Sequence, residues 1–162
     1  MMKLKKKIVL TATLVLGAGI PAWGQVDKVA MRTTGISCGT CAAVSEIYLR
    51  RLDNVDKVTI STANEVVMVA YKPGATFHPS DIRDVLKKTE VGVLQFQISA
   101  RGRVQEQGGK RVFVAGKDRF LLVASPTSPQ VPAGSSISVE GIINDKPTLM
   151  ELKILTFKVL KQ

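Results

Sequence analysis

Thr34-Gly35-Ile36-Ser37-Cys38-Gly39-Thr40-Cys41-Ala42-Ala43-Val44-Ser45-Glu46-Ile47-Tyr48-Leu49 is the stretch on which the fold turns. β-branched residues lead into a glycine-flanked loop, and from Gly39 to Leu52 no further proline or glycine interrupts the chain. Ala42, Ser45, Leu49 and Leu52 recur at the spacing of one helical face, so a short strand hands over to a helix here. The chain's two cysteines sit three apart at that junction. Two thiols on a loop that opens a helix make either a soft-metal clamp or a redox couple.

Outward from this point the order reads strand, helix, strand, strand, helix, strand. Residues 28–33 form the first strand. Residues 55–62 and 65–71 are rich in β-branched side chains and are separated by Ala63-Asn64, a hairpin signal. Lys72-Pro73-Gly74 breaks the chain, and Pro79 suits a first helical position, with Asp81 in the first turn and Ile82, Val85 and Leu86 as the buried stripe. Gly92 ends this second helix. Residues 93–100 alternate as a last strand, with Leu94, Phe96 and Ile98 expected on one side.

After residue 101 no helical period appears. Residues 103–106, 111–115, 119–124, 136–143 and 150–160 read as strands, with turns at 107–109 and 144–147 and a proline- and serine-rich crossing at 125–135. Five strands with a long connection after the third suggest a small all-β unit, OB-like and partly open. Residues 95–105 suit one bent strand serving both units, with Gly102 at the bend. The expected organisation is therefore α+β: a βαββαβ sandwich over residues 25–101, then a β-unit over 102–162.

The N-terminus reads as a secretory leader. Four lysines among the first seven residues precede the uncharged run 8–20, and Ala22-Trp23-Gly24 offers the small residues of a cleavage site, which places the mature start at Gln25. The run falls short of the roughly 20 residues a membrane span requires. The expected locations are the periplasm or the extracellular medium, with no membrane span after cleavage. Removing the four leader lysines takes the formal charge from +10 to about +6. For an exported protein that balance favours an anionic envelope surface or simple solubility over nucleic acid.

Hard divalent cations want oxygen cages, and a structural zinc site wants four ligands. A pair of thiolates suits a soft, low-coordinate ion such as Cu(I) or Hg(II), and a helix N-terminus favours the thiolate form. The segment Gly35-Ile36-Ser37-Cys38-Gly39-Thr40-Cys41 resembles the Gly-Met-Thr-Cys-x-x-Cys signature of heavy-metal-associated domains, the family of copper chaperones, ATPase metal-binding modules and periplasmic mercury-binding proteins. The likeness runs from about residue 26 to residue 100, through Glu46, Leu49, Arg50-Arg51-Leu52 and Val55 to Tyr71-Lys72-Pro73-Gly74 and Asp81-Ile82. It implies a ferredoxin-like fold and Cys38 and Cys41 as metal ligands. Ile36 takes the place of the family's methionine as an apolar plug, and Ser37 that of the bracing threonine. It also implies a metallochaperone role with a metal-donor or metal-acceptor protein as partner. Two positions depart from the pattern: Ser45 stands where an aliphatic is usual, and Glu90-Val91-Gly92-Val93 lacks the aromatic near the metal.

A thiol–disulfide redox protein is the main rival, because Cys-Gly-Thr-Cys outside the cytoplasm is able to close to a disulfide. The usual tryptophan before the first cysteine is Ser37 here. A non-metal interaction module is the third reading. No catalytic triad, phosphate loop or carboxylate pair suggests an enzyme. His78 reads as a helix cap, Met31 and Met68 as core. The basic hairpin of Lys110, Arg111, Lys117 and Arg119 reads as a solvated face. Val44 and Ile47 lie opposite the buried face of the first helix, which leads us to expect a cover there, either the β-unit or a partner.

Overall fold

The computed structural model describes residues 24–161. The leader expected over 1–24 and its cleavage site lie outside them, Gly24 excepted. Ten elements follow in order: β1 (Gln25–Thr34), α1 (Gly39–Arg50), β2 (Val55–Ser61), β3 (Val66–Tyr71), α2 (Pro79–Lys87), β4 (Gly92–Gln107), β5 (Lys110–Ala115), β6 (Asp118–Leu122), β7 (Ser136–Asn144) and β8 (Glu151–Val159). No helix among the described residues is long and apolar enough to cross a membrane.

The first six elements make the expected βαββαβ sandwich. Its sheet runs β2-β3-β1-β4, all antiparallel, with Val29, Val69, Val67 and Ile98 fully buried beneath the helices. Alternation along each strand sends these side chains to one face, and the i, i+4 pairs Ser45/Leu49 and Ile82/Leu86 close over them.

β4 continues past β1, and its residues 103–107 pair with β5. Its other edge, residues 96–103, pairs with β7. The last strands thereby close on β4 in the order β4-β5-β6-β8-β7, with β7 back against β4; β6 and β8 run parallel, and the other neighbours are antiparallel. Gly102 sits at the handover. A Cβ there would collide with the Val114 carbonyl and the Phe113 ring, so the crossing strands come this close only at glycine.

One apolar cluster spans both halves. Phe77, from the loop ahead of α2, lies with its ring centroid 5.7 Å from Phe96 and 6.5 Å from Phe120, while Tyr71 stands 6.4 Å away on its other side. The carboxylate of Asp118, at the start of β6, accepts the Phe77 backbone N–H at 2.9 Å. β4 thus runs unbroken through the expected junction at residues 101 and 102.

Three sequence expectations are corrected. Leu94 does not point inward with Phe96 and Ile98; it is 62% exposed. The β1–β4 register slips between Arg32 and Thr33, whose partners are Gln95 and Val93, so Leu94 is the unpaired extra residue of a β-bulge. Met68 is 46% exposed because it alternates with buried Val67 and Val69 on β3, whereas Met31 is core. Of the two covers expected over the outer side of α1, the β-unit is not one: Ile47 is 52% exposed and Val44 half-buried, since that unit grows from β4 at the sheet and not over the helices.

Candidate functional site

The loop between β1 and α1 is shaped by two backbone constraints. Gly35 takes φ +84°, and a Cβ at this position would press on the Glu90 carbonyl, so the cysteine loop lies directly against the turn after α2. Thr34 pairs with Gly92 at the end of the β1–β4 ladder, where a Cβ on Gly92 would crowd the Thr34 hydroxyl. Ile36 is fully buried beneath the loop, the plug position expected of it.

Cys38 is the N-cap of α1, extended at φ −85° and ψ 136°, and the Cys41 N–H donates to its Sγ at 3.0 Å. The sulfur thus satisfies one of the free N–H groups of the first turn, a task that usually falls to an oxygen. Cys38 and Cys41 are joined as a disulfide with their Cα atoms 5.2 Å apart. Cys38 is exposed and Cys41 half-buried. No acidic side chain lies in the first turn of α1 to oppose a developing thiolate. Two-electron reduction of this disulfide yields two adjacent thiols open to solvent and to a partner.

The turn opposite ends α2 differently from the sequence expectation. The helix stops at Lys87, short of Gly92. The Val91 N–H bonds the Leu86 carbonyl and the Glu90 N–H the Lys87 carbonyl, both near 3.0 Å, which is a Schellman closure with Glu90 at φ +60° in the position that favours glycine. Glycine punctuation alone did not signal it, because the left-handed residue is a glutamate.

Beneath the loop, Ser45 is fully buried and its hydroxyl meets that of Thr89 at 2.8 Å; Thr89 in turn donates to the Leu86 carbonyl at 2.9 Å. This chain holds α1, one turn below Cys41, against the end of α2. The sequence marked Ser45 as unusual, and Thr89 is the partner it missed. On the flank, Arg51 and Lys88 lie over the Tyr48 ring at 5.4 and 5.9 Å.

His78 caps α2 through its backbone position without a side-chain cap bond, its Nε2 being paired with the Thr76 hydroxyl at 2.8 Å. Among the described residues no cluster of three or more His, Cys, Asp or Glu side chains is placed to share a metal ion. Phe113 and Phe120 point into the core behind the basic hairpin and present no stacking surface.

No family model and no curated protein matches this chain. Solved structures similar to it include the CopZ metallochaperone, 24% identical over 41% of this chain and 98% of that one, with a TM-score of 0.38. The N-terminal domain of ZntA in its apo form is 20% identical, covering 43% and 92%, with a TM-score of 0.39. The yeast copper transporter domain CCC2A is 23% identical, covering 42% and 94%, with a TM-score of 0.36. The likeness takes in less than half of this chain.

Proposed function

We propose that this protein binds a soft metal ion between the thiolates of Cys38 and Cys41 and passes it to a partner protein. Cu(I) is the first choice of ion and Hg(II) the second. The observation that carries the reading is the placement of both sulfurs at the solvent-open N-terminus of α1, with Ile36 filling the space beneath. Two soft donors and free N–H groups favour an anionic, low-coordinate complex. An under-coordinated ion at an exposed loop is able to exchange thiolates one at a time with a donor or acceptor protein. The protein then acts in binding and transfer rather than as an enzyme. The leader supports export to the periplasm or beyond, where reduction of the disulfide must precede loading. In the same reading residues 25–101 form the metal-binding domain and the strands from residue 102 an OB-like barrel. The long bent first strand and the single parallel pair support that assignment.

The disulfide itself favours a second reading, a thiol–disulfide redox protein that uses the same pair. Anaerobic titration of reduced protein with Cu(I), Hg(II) and Zn(II), alongside Cys38→Ser and Cys41→Ser, separates the two. Uptake of one Cu(I) or Hg(II) that both substitutions abolish supports the transfer role. No uptake, combined with turnover of a disulfide substrate, supports the redox one.

A further inference from the structure

β8 uses only one of its two edges over most of its length. Against β7 it is paired from Glu151 to Val159. Against β6 pairing stops at Leu122 and Leu152, and the final bond of that seam runs from the Val123 N–H to the Leu152 carbonyl at 3.1 Å. Among the described residues no backbone group pairs with this second edge beyond Leu152. The Leu160 N–H donates to the Ser136 carbonyl on the β7 side, so the N–H groups of Phe157 and Val159, one residue out of phase, point to the open edge.

The free edge of β2 is protected by a register slip between Val55 and Lys57 and by the exposed charges of Asp56 and Lys57. β8 also carries a register slip, at Leu155, and the exposed charge of Lys158, yet it keeps an apolar surface at its open edge: Leu155 is 38% exposed, Val159 is 54% exposed and Phe157 is half-buried. Where β6 and β8 part, a cleft of about 130 Å³ opens, with Leu122, Val131 and Ile154 in its walls and Arg111 among its lining residues. The Ser128 hydroxyl, on the loop that forms its other side, is buried without a hydrogen-bond partner.

Charge on β8 itself has one sign over this stretch, although exposed Glu140 of β7 stands across from Thr156. Lys153, Lys158 and Lys161 follow one another with no acid from Leu152 to Lys161, and Glu151 is already engaged by the Asn144 side chain at 2.8 Å. We propose that the open edge of β8 receives an extended, acidic segment of a partner protein, added as a further strand, with one apolar side chain seated in the cleft beside Arg111. A second copy of this chain would bring lysines against lysines. Nucleic acid has no alternating N–H and C=O groups with which to extend the ladder.

The test uses the full-length chain and fluorescence anisotropy of a short labelled peptide alternating aspartate with valine and leucine, with its lysine-for-aspartate counterpart as control. The acidic peptide is expected to bind at least about tenfold more tightly than the basic one. Lys158→Glu should narrow that preference, since Lys153 and Lys161 remain. Val159→Pro should abolish binding while leaving the circular dichroism spectrum intact, because the lost N–H points away from β7. Equal binding of the two peptides, or binding unchanged in either variant, overturns the proposal. A concentration-dependent dimer that Val159→Pro disperses in sedimentation assigns the edge to a second copy and overturns it as well.

Discussion

Arg83 on α2 clasps Asp145 in the turn between β7 and β8, donating from Nε to Oδ2 at 2.7 Å and from Nη2 to Oδ1 at 2.9 Å. Its remaining arm reaches the Val93 carbonyl at 2.9 Å, and the guanidinium lies 4.8 Å from the centroid of the Phe96 ring. The helix layer of the sandwich is thereby tied to the β7–β8 turn of the β-unit by a planar, two-pronged contact that only arginine makes.

Asp145→Asn should cost about 1–2 kcal/mol of unfolding free energy at neutral pH, because one arm of the pair loses its charge and its geometry while the site stays partly solvated. The hydrogen bonds and charge of Arg83 hold the Asp145 carboxyl below the usual carboxylate range. Its contribution is therefore complete above the unfolded value near 4 and is lost as pH falls through the folded one. Urea melts of both proteins at neutral and strongly acid pH check this: the gap should narrow in acid.

Asp118 should behave in the opposite sense. Burial pushes its carboxyl up, against the pull of the Phe77 N–H and of His78. The folded state then favours the protonated form, so this group's contribution is fully present below the unfolded value and declines as pH rises through the folded one. Asp118→Asn keeps an acceptor for the Phe77 N–H and removes a desolvated charge, so stability at neutral pH should hold or rise. Asp118→Ala orphans that N–H and should cost about 1–3 kcal/mol. Equal losses in the two variants by chemical denaturation would sink this account.

The Tyr71 hydroxyl is buried without a hydrogen-bond partner, and its phenol is pushed well above its usual range by burial, with Asp118 and Asp81 adding to it. Tyr71→Phe should therefore leave thermal stability unchanged or raise it, because the removed group gains no bond on folding. A marked fall in melting temperature would mean that the hydroxyl has a partner.

At the turn facing the cysteine loop, Glu90→Gly should stabilise the protein by roughly 0.5–1 kcal/mol, since its left-handed backbone is one that glycine adopts without strain. Gly35→Ala should destabilise by more than that, because it adds both a positive-φ penalty and a contact with the Glu90 carbonyl. Equilibrium unfolding of the two variants checks the pair. A stabilising Gly35→Ala would mean that the loop does not need this backbone.

Ser45→Ala should cost about 1 kcal/mol, the net worth of one buried hydroxyl pair, since Thr89 keeps its bond to the Leu86 carbonyl. Ser45→Leu, which restores an aliphatic side chain at this position, should cost more, because the site is packed for a hydroxyl and extra volume forces α1 away from α2. If the leucine variant unfolds at higher denaturant than the wild type, the hydroxyl pair is not what sets the spacing of the helices.

The plug at Ile36 came from the family resemblance, while local patterns in the sequence determined the strand and helix order of residues 25–100, the buried face of α1 and the meeting of Cys38 and Cys41 at a helix start. Each of these is written in residues a few positions apart, through the two-residue and 3.6-residue periods and the reach of one loop. Only the tertiary structure decided that Leu94 leaves the core, because a bulge depends on the register of two strands about sixty residues apart in sequence. The Schellman turn at Glu90, the Ser45–Thr89 pair and the Arg83–Asp145 clasp were illegible for the same reason: each is satisfied by a partner that folding supplies. The sharing of β4 between the sandwich and the β-unit gave that unit its place at the sheet and left the outer side of α1 open, an outcome no periodicity encodes.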